Sequence, residues 1–140
     1  MKKLLLILFT FHFSLPSAFA QSECEPFRAY LINKEYDVFF KIDFCEESIT
    51  IPGEELYGSL PGYLGKKVNS YCWVITSAYV MGKTAHLTMI NDFGSEDLTA
   101  TLTFKNDSTY IFRQEEGATV KMAQKGKWQK LPRTMEFKRQ

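Results

Sequence analysis

Between residues 97 and 138 apolar and polar side chains alternate in short runs, with a turn signal at almost every gap. A period of two is satisfied by a β-strand and not by a helix, because successive strand side chains point to opposite faces. Leu98, Ala100, Leu102 and Phe104 interleave with Thr99, Thr101, Thr103 and Lys105. Tyr110 and Phe112 alternate with Thr109, Ile111 and Arg113; Val120 and Met122 follow, then Trp128 between Lys127 and Gln129, then Met135 and Phe137. Asn106-Asp107-Ser108, Glu116-Gly117, Lys125-Gly126 and Leu131-Pro132 supply the breaks, as turn residues do. This is a β-meander, and its inward face is expected to hold Leu98, Ala100, Leu102, Phe104, Tyr110, Phe112, Val120, Met122, Trp128 and Phe137.

Upstream, residues 70–81 and 84–91 predict a hairpin joined through Gly82-Lys83, with Tyr71, Trp73, Ile75 and Tyr79 on one face. Residues 35–45 predict another strand, Tyr36, Val38, Phe40, Ile42 and Phe44 sharing a face, and residues 48–51 a short one ended by Pro52-Gly53. Residues 24–33 predict a short N-terminal helix, with Pro26 in its first turn. The longest irregular stretch is 52–70, broken by Gly53, Gly58, Pro61, Gly62 and Gly65. Eight or nine strands with short connections and no βαβ unit define an all-β chain. The economical architecture is an antiparallel up-and-down barrel of about eight strands, since closure removes exposed edges; a β-sandwich is the alternative.

Residues 1–20 read as a secretory signal peptide, with Lys2-Lys3, an apolar stretch to Phe13 and Ala18-Phe19-Ala20 at the cleavage site. Residues 21–140 then form a single domain, exported to the periplasm or the extracellular space, with no membrane anchor after cleavage. Loss of Lys2 and Lys3 leaves the mature chain near neutrality, and that balance points to neither nucleic acid nor an anionic membrane. Cys24, Cys45 and Cys72 allow one disulfide and one leftover thiol. Three pairings exist; Cys45 with Cys72 is the expected one, because both lie in strand-like segments.

The segment 110–138 combines Tyr110-x-Phe112, a glycine-containing turn, Gly126-Lys127-Trp128 and a final apolar strand ending in Phe137-Lys138. It resembles the C-terminal end of the small lipocalin-like (calycin) domains exported by many bacteria. Lipocalins carry a Gly-x-Trp near their N-terminal strand, whereas here it stands at Gly126 to Trp128. The resemblance implies a lipocalin-like barrel that binds a small apolar ligand and carries no catalytic residues.

The residues themselves offer no catalytic constellation. His86 is the one histidine after the leader, and no Gly-x-Ser-x-Gly elbow accompanies it. Residues 91–97 are rich in oxygen ligands but lack EF-hand spacing, and a hairpin loop turning at Gly94 explains them. Asn106-Asp107-Ser108 fits an N-glycosylation pattern and reads first as a turn. No metal, no cofactor and no enzymatic activity is expected. The ligand-binding set is Leu56, Tyr57, Leu60, Tyr63 and Leu64, on a loop expected to act as a lid, with Tyr71, Trp73, Tyr110 and Trp128. The expected function is a non-enzymatic binding module holding a small apolar ligand in or at the mouth of the barrel. The alternative is a protein-interaction module such as an inhibitor or immunity factor.

Overall fold

The computed structural model describes residues 23–140; the leader expected at residues 1–20 lies outside them. After a 3₁₀ turn at Glu25–Phe27 come β1 (Arg28–Asn33), β2 (Val38–Asp43), β3 (Ile49–Thr50), β4 (Ser59–Leu60), β5 (Gly62–Lys66) and β6 (Cys72–Met81). They are followed by β7 (Thr84–Asn91), β8 (Asp97–Asn106), β9 (Thr109–Gly117), β10 (Lys121–Gln124), β11 (Lys127–Lys130) and β12 (Thr134–Arg139). Eight strands close into an antiparallel up-and-down barrel in the order β1, β2, β5, β6, β7, β8, β9, β12, with β12 returning to β1. Two small hairpins, β3–β4 and β10–β11, stand outside that ladder, each inserted between consecutive barrel strands.

The inward face follows the period of two. Val38, Phe40 and Ile42 from β2, Leu98, Ala100 and Leu102 from β8, Tyr110 and Phe112 from β9, and Met135 and Phe137 from β12 share one buried cluster. Phe40 packs against Phe137 and Phe112, with ring centroids 4.8 and 5.1 Å apart. An eight-stranded barrel has an interior just wide enough for side chains, and here they fill it: Leu31, Phe40, Leu64, Ile75, Leu102, Phe112 and Phe137 are all fully buried.

Residues 24–33 form one short turn and then a strand, not the expected helix. Leu31 and Asn33 are buried on one face of β1, and pairing with β2 and β12 closes the barrel. The tertiary ladder overrides the local helical spacing. Tyr79 likewise leaves the face of Trp73 and Ile75. The β6–β7 register jumps from Ile75 opposite Met89 to Ser77 opposite Thr88, so Thr76 is an extra residue. A one-residue bulge flips every later side chain: Ala78 and Val80 pack against the core, whereas Tyr79 is exposed beside His86.

The disulfide joins Cys24 to Cys45, with Cα atoms 5.3 Å apart, and corrects the expected pairing of Cys45 with Cys72. The N-terminal turn seats Phe27 in one end of the barrel, stacked on Phe44 at 5.5 Å, and Phe44 N–H donates to the Phe27 carbonyl at 3.0 Å. That contact brings the neighbouring cysteines together. β5 separates β2 from β6, and Cys45 and Cys72 lie toward opposite barrel ends, so strand character in both segments did not make them neighbours.

The irregular stretch after Pro52 is also more ordered than expected. Gly62 begins β5 opposite Ile42, with φ +156°, and a Cβ there would collide with the Lys41 carbonyl. Only glycine allows the two strands to approach so closely at this corner.

Candidate functional site

The chain direction sorts the connections into two sets. At the disulfide end lie the N-terminal turn, the connection 44–61 and the tight turns at Gly82-Lys83 and Asp107-Ser108. At the other, here the hairpin end, lie the connections 34–37, 67–71 and 92–96 and the long connection 118–133, which contains β10–β11.

The disulfide end is sealed. The Tyr110 hydroxyl donates to the Pro26 carbonyl at 2.6 Å, and Arg139 donates to the carbonyl of Arg28 at 3.2 Å. Asp43 organises the corner after β2: its carboxylate accepts the backbone N–H groups of Cys45 and Glu46 at 3.1 and 3.0 Å and the Ser48 hydroxyl at 2.5 Å. Burial alone raises a carboxyl pKa, but the Ser48 hydroxyl, the two N–H groups and Arg28 outweigh it and hold Asp43 below its ordinary value.

The expected lid is at neither mouth. The connection 44–61 folds back on the outer wall, where Ile51 is buried with Tyr63, Cys72 and Val74. Leu60 packs at the edge of this outer cluster, and Leu64 points into the barrel core. Leu56 and Tyr57 are exposed on a 3₁₀ turn, Glu55–Tyr57. Residues 52–65 therefore mix an inward strand position, an outer-wall strap and a solvent-facing tip, and do not line one site. Burial pushes the free Cys72 thiol beneath the strap up to about 12, with the charges of Asp92 and Glu54 adding to it.

What caps the hairpin end is β10–β11. Val120, Met122 and Leu131 from this connection are buried against the barrel interior. Trp73 Nε1 donates to the Lys121 carbonyl at 3.1 Å, Asn69 Nδ2 to the Ala123 carbonyl at 2.9 Å, and buried Gln114 accepts the Val120 N–H at 2.8 Å. Trp73 and Tyr110, both expected to contact ligand, are thus a structural anchor and a core residue. Trp128 corrects its expected inward place. It lies opposite Ala123 on the outer face of the hairpin, 57 % exposed.

That exposure creates the site. Trp128 meets Tyr71 edge to face at 5.0 Å, and Tyr71 lies 6.1 Å from Phe93, itself exposed on the 92–96 loop. These rings, with Asp92, Glu96, Lys121 and Lys130, line a cleft of about 430 Å³. Its wall is built locally. Asn91 Oδ1 accepts the N–H groups of Ser95 and Glu96 at 2.9 and 3.2 Å, which shapes the loop, and Lys121 reaches Glu96 at 3.6 Å, tying loop to hairpin. The oxygen-rich segment is therefore a loop holding itself, and among the described residues no cluster of three His, Cys, Asp or Glu is placed to hold a metal. Burial raises the Asp92 pKa, and Glu54 adds to the rise.

Of the expected ligand-binding residues, the structure brings Tyr71, Trp73 and Trp128 to this cleft. Sequence reasoning missed Phe93, Lys121 and Lys130. A large aromatic in an otherwise polar Asn-Asp-Phe-Gly-Ser turn was the signal available for the first; the lysines carried none. One further detail is local to this end: Gln129 Oε1 is buried and has no hydrogen-bond partner among the described residues.

The fold and cleft define a closed, side-chain-filled antiparallel barrel with an aromatic groove at one capped mouth. No protein-family model, curated protein or solved structure matches the chain. The architecture is compatible with a lipocalin-like barrel, and among the described residues no helix is long and apolar enough to cross a membrane.

Proposed function

We propose that this protein is an exported, non-enzymatic binding module of lipocalin-like type that takes a small apolar, ring-bearing ligand at the mouth of its barrel. The observation carrying this reading is the cleft that half-buried Tyr71 forms with exposed Phe93 and Trp128, beside an interior already filled by side chains. Aromatic faces left in solvent at a concave surface gain by covering one another or a ligand ring. The Cys24–Cys45 disulfide and the signal-like leader support export.

The test is titration with N-phenyl-1-naphthylamine, a neutral dye whose fluorescence rises on leaving water. Saturable binding is expected, lost in Trp128→Ala while the urea midpoint stays near that of the parent. A parent that binds no dye, or a variant that binds as well as the parent, would overturn the reading.

A second reading, the protein-interaction module, is favoured by Leu56, which is fully exposed, and Tyr57 beside it. It predicts that Leu56→Ser weakens capture of an extracellular hydrolase such as a lysozyme without lowering stability. Tyr63, buried on the outer wall, does not belong to that surface.

A further inference from the structure

We propose that the ligand carries an anionic head, received by Lys66, Lys125 and Lys127 on the far side of the Tyr71–Trp128 pair. This rests on the mouth cleft taking the apolar ring. A second cleft of about 670 Å³ adjoins the first and shares Tyr71 and Trp128 with it. The two clefts differ in charge. Lys121 and Lys130 face Asp92 and Glu96 in the first, whereas the second sets three lysines against the single carboxylate of Asp37.

Lys66 is the buried member of the three. It stands at the end of β5 and is only 5 % exposed. Its Nζ has one hydrogen-bond partner among the described residues, the neutral Gln124 Oε1 at 3.3 Å, and no carboxylate within ion-pair distance. An ammonium has three protons to donate, and a buried charge without a counter-charge is costly unless something pairs with it. The cleft wall therefore holds a cation with a single neutral partner and no counter-charge among the described residues.

The hairpin turn completes the arrangement. Gln124 pairs with Lys127 across a two-residue turn in which Lys125 and Gly126 have φ +50° and +76°. Positive φ at both central positions is the tight hairpin turn that favours Asn-Gly or Gly-Gly. Here a lysine occupies the less comfortable first position, and Lys125 and Lys127 border the cleft that Lys66 lines. A carboxylate, sulfonate or phosphate placed there enters a cleft lined by three lysines, while the rest of the molecule lies against Tyr71 and Trp128. The ligand class is thus a small amphipathic anion: an apolar ring body with one charged head.

Two dyes sharing a ring system separate this proposal from the reading beneath it. N-phenyl-1-naphthylamine is neutral, and 1-anilinonaphthalene-8-sulfonate adds the anionic group. The sulfonate should bind about tenfold more tightly in low salt, as a charge-assisted contact warrants, and added salt should shrink the advantage. Lys66→Met should abolish it and leave neutral-dye affinity unchanged. The surface pair Lys125→Gln with Lys127→Gln should reduce it and is safe for folding, with the urea midpoint as check. Equal affinity of the parent for both dyes overturns the anionic head alone. A sulfonate advantage that survives both sets of lysine substitutions does the same. Failure of both dyes to bind overturns the mouth site as well.

Discussion

The two ends of the barrel are built on opposite terms. At the disulfide end every polar group named has its partner: Tyr110 finds Pro26, Asp43 finds three donors, and a covalent link holds the entering chain. At the hairpin end, among the described residues, a lysine lacks a counter-ion and a glutamine oxygen lacks a donor, and Phe93 and Trp128 stand exposed beside half-buried Tyr71. Local inconsistency in an otherwise consistent fold tends to mark a working surface. The proposed site thus falls at the less satisfied end.

Breaking the sealed end should therefore lower stability and leave the proposed binding cleft intact. Phe27→Ala removes a fully buried ring and should cost about 3–5 kcal/mol, read as a lower urea midpoint, with neutral-dye affinity unchanged wherever the variant remains folded. Replacing Cys24 and Cys45 together by serine should cost about 3 kcal/mol, the chain-entropy value for a loop of this size. Equal loss of dye affinity and of stability in either variant would show that the ends are coupled.

Acidity sharpens the contrast, because two aspartates are shifted in opposite senses. Asp43 has a lowered pKa, so its stabilisation is present above the ordinary aspartate value near 4 and fades as pH falls through its folded value. Asp43→Asn should cost about 1–3 kcal/mol at pH 7, and the gap should close in strong acid. Asp92 has a raised pKa, so its charged form opposes folding at neutral pH, and that opposition disappears as pH falls below about 4. Asp92→Asn should stabilise at pH 7, and its gain should also vanish in acid. Paired urea titrations at pH 7 and pH 3 measure both signs.

The smallest effect belongs to Gln129. Gln129→Met replaces an unpaired buried acceptor with an apolar chain of similar size and should stabilise by about 1 kcal/mol. A loss of stability instead would mean that the oxygen is satisfied in solution and that the hairpin end is less frustrated than its geometry indicates.

The barrel was legible because its information is local and periodic. Leu98 to Leu102, Tyr110 to Phe112 and Met135 to Phe137 each announce their inward face within a few residues. The site was only partly legible because it depends on departures from that period. Nothing near Thr76 marks it as a bulge, yet it sends Tyr79 outward. Trp128 obeys strand alternation within β10–β11, but that hairpin lies across the mouth instead of in the wall, so the alternation could not tell which way Trp128 faces. Lys66 looks like any surface lysine until β5 carries it into a buried position. The cysteine pairing depended on where Phe27 settles, a contact 17 residues along the chain from Phe44.

The outer-wall strap bears on how a chain with an odd cysteine count reaches one disulfide. Reshuffling proceeds only when a thiolate attacks an existing bridge. Before β5, β6 and Ile51 come together, Cys72 can compete for either partner; afterward its sulfur is buried and almost wholly protonated at neutral pH. Closure of that wall thus withdraws Cys72 from exchange with the Cys24–Cys45 bridge, with no second disulfide needed to occupy it.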